Sequence, residues 1–162
     1  MKIGWAIEQL AAAERDLAAE LRATGARHKA DHDVFHLTGT LAGIEDDNLA
    51  ALARHASRYD ADVEAEPRER RAPEVLRSAV EKGSELLGRR PEPGLLLLRD
   101  LRALHVLAAG TSLDWVALGQ AAQAARDAEL LDTVSACHPQ TLRTLKWTTY
   151  RLKEAAPQAL TS

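Results

Sequence analysis

The fold is decided by residues 3–22, which read IGWAIEQLAAAERDLAAELR. Apolar side chains in this stretch recur every three or four residues, which places them on one face of an α-helix. That face comprises Ile3, Ile7, Leu10, Glu14, Leu17 and Leu21. The pattern predicts an amphipathic helix that runs from Ile3 to Arg22 and ends near Gly25, with the carboxylate of Glu14 on its apolar face.

Three later segments repeat this period, so we expect a bundle of four long helices. Asn48 lies on the apolar face of the second segment, and His138 lies on that of the fourth. Each of these polar residues replaces a side chain that the pattern would otherwise make apolar. We expect one core shared by all four helices, formed by Ile7, Leu10, Leu41, Ile44, Leu104, Leu118, Leu145 and Leu152.

The links between the segments predict how the helices pair. Residues 26–30 form a short polar link, which makes the first two helices antiparallel neighbours, and Asp31 or Asp33 can cap the second helix. A corner at residues 126–128 joins the last two helices into a second hairpin. Pro139 falls within the fourth helix and should kink or split it.

A longer crossover separates the two predicted hairpins. Residues 58–73 are rich in charge and are predicted to form a surface link. Pro73 suits the first turn of a shorter helix, which we expect to run to Gly88. Beyond Pro157 the chain is expected to fray.

The 162-residue chain has the length and composition of a single globular domain, with 46% apolar and 28% charged residues. Its many alanines and leucines and its few aromatic residues favour an all-α fold. The formal net charge of -3 predicts neither a nucleic-acid partner nor binding to an anionic membrane. No apolar run approaches the roughly 20 residues of a membrane span, so no membrane partner is expected.

The single cysteine, Cys137, cannot form an internal disulfide and fits a reducing compartment. The segment from Met1 to Trp5 has no basic stretch followed by an apolar core, so no secretory signal is predicted. We therefore expect a cytoplasmic protein. Cys137 is predicted to be a buried structural thiol, because its neighbour His138 points about 100° away around the helix.

The order of the elements and three local strings resemble the bacterial stress-induced ferritin-like proteins. The strings are AERDL at residues 13–17, VEKGSELLG at 80–88 and AELLDTV at 128–134. The resemblance covers most of the chain and implies a ferritin-like four-helix bundle of two antiparallel hairpins, with a short extra helix in the crossover. It also implies a homodimer. The tryptophans are predicted to serve packing or an interface, and they are Trp5, Trp115 and Trp147.

The same resemblance implies a di-metal centre built from inward carboxylates and Glu-x-x-His pairs. Glu14 matches the family's glutamate in the first helix, and Glu45 matches the glutamate of the second-helix pair. The histidine of that pair is Asn48 here, and no glutamate in the sequence has a histidine three residues later. The leading hypothesis is a non-enzymatic stress-related or structural protein with a decayed metal centre and no cofactor. Its inward polar residues, His138 included, would then hydrogen-bond to one another in a buried layer.

Two alternatives remain open. In the first, Glu14, Glu45 and His138 bind a single transition metal or a di-metal centre, with iron, manganese and zinc as the candidate ions. Such a metalloprotein could have redox or peroxide-handling activity. In the second, the bundle is an adaptor that presents a helical face to another protein.

A histidine-rich stretch, HKADHDVFH at residues 28–36, is a second candidate metal site. His32 and His36 lie four residues apart on one helix face, and Asp33 adds a carboxylate. The favoured interpretation is a capping region with solvated histidines, because aspartates at a helix N-terminus complement its exposed N–H groups.

Overall fold

The computed structural model describes residues 2–64 and 92–162, which include four long helices. They are α1 (Ile3–Arg27), α2 (His32–Ala53), α3 (Pro93–Ala125) and α4 (Ala128–Thr161), with a 3₁₀ helix at Ala56–Tyr59. Neither described range contains a β-strand, so the predicted all-α fold is confirmed. Within these ranges no helix is both long and apolar enough to cross a membrane. The predicted crossover helix from Pro73 to Gly88 lies outside the described residues.

Helix α1 continues past the predicted end at Arg22 and includes Gly25 as an interior residue. The reason lies in the packing of α1 on α2. Gly25 is buried against α2, and a Cβ atom at this position would collide with Oγ1 of Thr38. Gly25 therefore permits close contact between two helices and does not end the first one.

The capping residues at the starts of α2 and α4 agree with the predicted turns. The Asp31 carboxylate accepts a hydrogen bond from the N–H of Val34 at 3.1 Å, which identifies Asp31 as the N-cap of α2. At the corner between α3 and α4, Arg126 has a left-handed backbone with φ 55°. Asp127 then caps α4 by accepting from the N–H of Leu130 at 3.0 Å.

Helix α4 is one element from Ala128 to Thr161, so Pro139 does not split it. Pro139 is exposed, and its ring therefore occupies the solvent side of the helix, where water can satisfy the freed carbonyl group. The segment after Pro157 was predicted to fray, but it is helical as far as Thr161.

The apolar core consists of three clusters, which corrects the prediction of one shared core. The first contains Ile7, Leu10, Leu49, Leu52, Trp115, Leu118 and Leu130. The second contains Leu17, Leu21, Leu41, Leu104 and Ala108, with Ile44 and Leu145 packed against it. The third contains Val34, Leu97 and Leu101, with Leu152 packed against it. Buried polar residues separate the first two clusters on every helix, and they include Glu14, Glu45, Asn48, Thr111 and Thr141.

Candidate functional site: a buried carboxylate pair

Two glutamates meet in the middle of the bundle. Glu14 is halfway along α1 and Glu45 is on α2, and both side chains are 0% exposed. Asn48 follows Glu45 by three residues, which puts both on the same face of α2. The Asn48 Nδ2 group lies 3.5 Å from Oε1 of Glu14 and 3.1 Å from Oε2 of Glu45, so the amide bridges the two carboxyl groups.

Glu14 has one oxygen with several donors and one oxygen with none. The indole N–H of Trp115 donates to Oε1 at 2.5 Å, and the hydroxyl of Thr141 donates to the same atom at 3.3 Å. Asn48 is the third donor to Oε1. Oε2 is buried and has no hydrogen-bond partner among the described residues. This asymmetry leaves Oε2 as the oxygen that can carry a proton.

Glu45 is held by donors from α2 and α4. The hydroxyl of Thr144 donates to Oε1 at 2.9 Å. The single O–H of Thr141 lies 3.3 Å from Oε2 as well as 3.3 Å from Oε1 of Glu14, so the two carboxyl groups share this donor. Thr141 on α4 therefore contacts both glutamates, as Asn48 on α2 does. Four donor side chains from three helices therefore surround two carboxyl groups.

Burial raises the pKa of Glu14 well above its ordinary value. The negative charge of the neighbouring Glu45 carboxyl group raises this pKa further, while the donors Trp115 and Thr141 lower it. These surroundings therefore favour the neutral form of Glu14. Burial and the nearby carboxyl groups also raise the pKa of the Cys137 thiol to about 11. Cys137 is thus a buried, protonated thiol, as predicted.

His138 is placed differently from the two glutamates with which it was grouped. It lies half-buried on α4, and its Nε2 atom is 2.8 Å from the hydroxyl of Ser112 on α3. Burial lowers the pKa of His138, which favours the neutral ring. In residues 2–64 and 92–162, no group of three or more His, Cys, Asp or Glu side chains is arranged to hold a metal ion.

The chemistry of the surrounding groups also bears on a metal ion at Glu14 and Glu45. A metal centre needs carboxylate lone pairs that are free to coordinate the ion. Here the lone pairs of three of the four oxygens accept hydrogen bonds from N–H and O–H groups. These donors suit a proton-sharing carboxyl pair and compete with any cation for its oxygens, and only Oε2 of Glu14 has no donor among the described residues.

Two of the donors were not identified from the sequence. Trp115 was predicted as a packing residue, and it is fully buried, but its indole N–H also anchors Glu14. Thr144 was missed altogether. The available signal was the spacing of Thr141, Thr144 and Thr148, which puts three hydroxyl groups on the buried face of α4.

The histidine-rich stretch has the features of a solvated capping region. His32 and His36 are exposed, and their rings are stacked with centroids 6.3 Å apart. Asp31 caps the helix, while Asp33 is exposed in its first turn. The other two tryptophans also differ in environment, since Trp147 packs against the second and third apolar clusters and Trp5 is 65% exposed.

A second buried carboxylate lies near the end of the bundle where α3 begins. Asp100 is nearly buried, and its Oδ2 atom is 2.9 Å from Nε of Arg27 and 2.9 Å from Nε2 of His28. Arg99 contacts the other oxygen at 2.9 Å. Although burial raises the pKa of Asp100, these partners together lower it to about 2. Asp100 is therefore an ionised structural anchor, in contrast to Glu14.

No protein-family model, curated protein or solved structure matches this chain. The resemblance to ferritin-like proteins consequently remains a prediction from the sequence. The function of the site must be inferred from its own geometry and electrostatics.

Proposed function

We propose that the protein is a non-enzymatic ferritin-like bundle, structural or stress-related, in which a proton-sharing polar layer stands in place of a lost metal centre. We place it in the cytoplasm as a homodimer, in keeping with its single buried thiol and the resemblance of its sequence. The fold would comprise two antiparallel hairpins. This is supported by contacts whose order reverses from one helix to the next. Gly25 near the end of α1 meets Thr38 in the first third of α2, whereas Glu14 in the middle of α1 meets Asn48 near the end of α2. His105 in the first half of α3 likewise meets Thr148 in the second half of α4.

The observation that carries this proposal is the set of donors around Glu14 and Glu45. Trp115, Asn48, Thr141 and Thr144 all direct N–H or O–H groups toward the carboxyl oxygens. A single shared proton completes this arrangement, because it removes the repulsion between two buried negative charges. A buried polar layer of this kind also specifies how helices align in a bundle, since any other register leaves its members without partners.

The alternative is a metalloprotein in which Glu14, Glu45 and His138 bind one or two iron, manganese or zinc ions and support redox or peroxide chemistry. One observation favours it: Oε2 of Glu14 is buried and has no partner among the described residues. That atom is a possible ligand for an ion as well as the site for a proton. The two functions therefore differ in what Oε2 holds.

Metal analysis and thermal unfolding distinguish the two functions. Untagged protein would be analysed for iron, manganese and zinc, and its melting temperature measured with and without a chelator. We expect less than about 0.1 metal ion per chain, which is near the background of such measurements, and no change in melting temperature on chelation. Glu14→Gln should behave in the same way.

A different outcome would support the metalloprotein. Stoichiometric metal that is retained by untagged wild type and lost in Glu14→Gln would overturn the proposed function, particularly if the chelator lowers the melting temperature of wild type alone. The Glu14→Gln variant is the appropriate comparison because it keeps the size of the side chain and removes its negative charge.

A further inference from the structure

Helix α3 has apolar residues on its outer side as well as on the side that faces the core. Four of them are largely exposed: Leu113 by 68%, Val106 by 56%, and Leu95 and Val116 by 45% each. With Ala109, they recur at helical spacing on the side opposite to Leu104 and Thr111, which are buried. We call these five residues, Leu95, Val106, Ala109, Leu113 and Val116, the outer seam. A helix that is apolar on both sides is normally covered on both sides.

The outer seam is flanked by two shallow grooves between α3 and α4. One, of about 360 Å³, is lined by residues that include Val106, Thr149 and Leu152. The other, of about 280 Å³, is lined by residues that include Val116 and Pro139. The first groove is mainly apolar, whereas the second also has polar residues in its lining, among them Gln120 and His138. Protruding apolar side chains beside such grooves form a surface that can interlock with a copy of itself.

We propose that a second copy of this chain covers the outer seam, with the two α3 helices packed antiparallel about a two-fold axis near Ala109 and Gly110. The proposal rests on the homodimer proposed above and names its interface. Val106 and Leu113 lie at equal distances from this point along α3. Val106 of one copy would therefore contact Leu113 of the other, and Leu113 would contact Val106. Ala109 and Gly110 have the smallest side chains in this region and permit close approach of the helices at the axis.

Charge complementarity supports this occupant. Arg102 lies in the line of the outer seam, and the half-buried Asp114 follows Leu113 and points about 100° away around α3. Neither has an ion-pair or hydrogen-bond partner among the described residues. The two-fold axis places Arg102 of one copy opposite Ala117 of the other, so its long side chain would extend back by about one helical turn to reach Asp114. Both charges would then gain a partner, twice in each dimer.

The size of the surface is also adequate. From Leu95 to Val116 the seam is roughly 32 Å long at about 1.5 Å per residue, and α3 and α4 together are about 20 Å wide. This length and width give a surface area on the order of 600 Å² per copy, similar to the roughly 800 Å² per partner of a standard interface. The seam is therefore large enough for a stable pair.

Light scattering coupled to size-exclusion chromatography tests the proposal on the full chain at tens of micromolar. Wild type should have the mass of two chains. Leu113→Glu should be monomeric, with the dimer weakened at least tenfold, because it places a charge in the apolar interface. Trp5→Glu is the matched control, since Trp5 is 65% exposed and lies on α1, and it should remain dimeric. Circular dichroism would verify that both variants are helical.

A cysteine introduced at the axis provides a second measurement that does not depend on weakening the dimer. Ala109→Cys should form a disulfide-linked dimer under mild oxidation, whereas Trp5→Cys should not. A dimeric Leu113→Glu variant without this crosslink would overturn the seam as the interface while leaving the homodimer itself intact. A monomeric wild type would overturn both the homodimer and the outer seam as its interface.

Discussion

At the scale of single residues, two of the buried carboxyl groups, those of Glu14 and Asp100, are in opposite states. Glu14 is surrounded by polar donors and a second carboxyl group, no cation contacts it among the described residues, and its pKa is raised. Asp100 is contacted by Arg27, Arg99 and His28, and its pKa is lowered to about 2. Burial opposes ionisation of both, so the neighbouring charges decide which one is ionised.

Glu14→Gln should make the protein more stable at neutral pH. A carboxyl group whose pKa is higher in the folded than in the unfolded state loses stability as the pH rises above its unfolded value near 4.5. The neutral amide avoids this loss, so we expect a gain of about 1–3 kcal/mol at pH 7 that shrinks toward zero near pH 4.5. Urea unfolding of both proteins across this pH range would measure it.

The comparison with wild type at each pH is essential, because His55 and His138 have lowered pKa values and change the stability in the opposite direction. These histidines are present in both proteins and cancel in the difference. A Glu14→Gln variant that is less stable than wild type at pH 7, by an amount that shrinks as the pH falls, would show that the ionised carboxylate stabilises the fold.

Asp100→Asn should have the reverse pH dependence. A carboxylate with a lowered pKa contributes stability above its unfolded value near 3.8, and this contribution disappears as the pH falls toward about 2. We expect Asp100→Asn to cost roughly 1–2 kcal/mol at pH 7, since the exposed parts of Arg27 and Arg99 allow screening by solvent. The cost should diminish between pH 4 and pH 2. Asp47→Asn, at an exposed position on α2, is the control and should be neutral.

At the scale of elements, the pair formed by α1 and α2 depends on one glycine at its closest approach. Gly25 lies inside α1, where glycine is normally unfavourable, and it faces Thr38 directly. The hydroxyl of Thr38 is fixed by a hydrogen bond to the carbonyl of Val34 at 2.7 Å, so it cannot move away easily. The contact between the helices therefore offsets the poor helix propensity of Gly25.

Gly25→Ala and Gly43→Ala should change the stability in opposite directions. Alanine at position 25 would collide with Thr38, and we expect a loss of about 1–3 kcal/mol from overpacking. Gly43 is also helical, but no atom lies within 4 Å of the position that its Cβ would occupy. Gly43→Ala should therefore stabilise the protein by about 0.5–1 kcal/mol. Urea midpoints at constant m-value would report both, and a neutral Gly25→Ala would mean that α1 and α2 can separate without cost.

At the scale of the whole molecule, the polar layer divides the bundle along its length. The first apolar cluster lies on one side of Glu14, Glu45 and Thr141, and the second lies on the other side. A third cluster continues toward the end where Asp31 and Arg151 form an ion pair with their closest atoms 2.5 Å apart. The stability of the bundle thus depends on three separate apolar contacts that one hydrogen-bonded layer holds in register.

The sequence by itself determined the helical class, the positions of the four helices and the burial of Glu14, Asn48 and Cys137. These properties follow from local rules, because the period of apolar residues and the capping aspartates act within a few residues along the chain. The same rules placed Glu45 beside Asn48 on one turn of α2. They did not indicate that Gly25 lies within a helix, since its role depends on a contact with another element.

Only the tertiary structure decided which groups meet in the core. His138 and Thr141 both lie on the inner side of α4, yet His138 contacts Ser112 while Thr141 contacts the two glutamates. A difference of one turn and about 60° around the helix separates these outcomes, and the spacing of residues in the sequence does not resolve it. Partner choice and pKa depend on the rotation and separation of whole helices, which are set by packing summed over many residues.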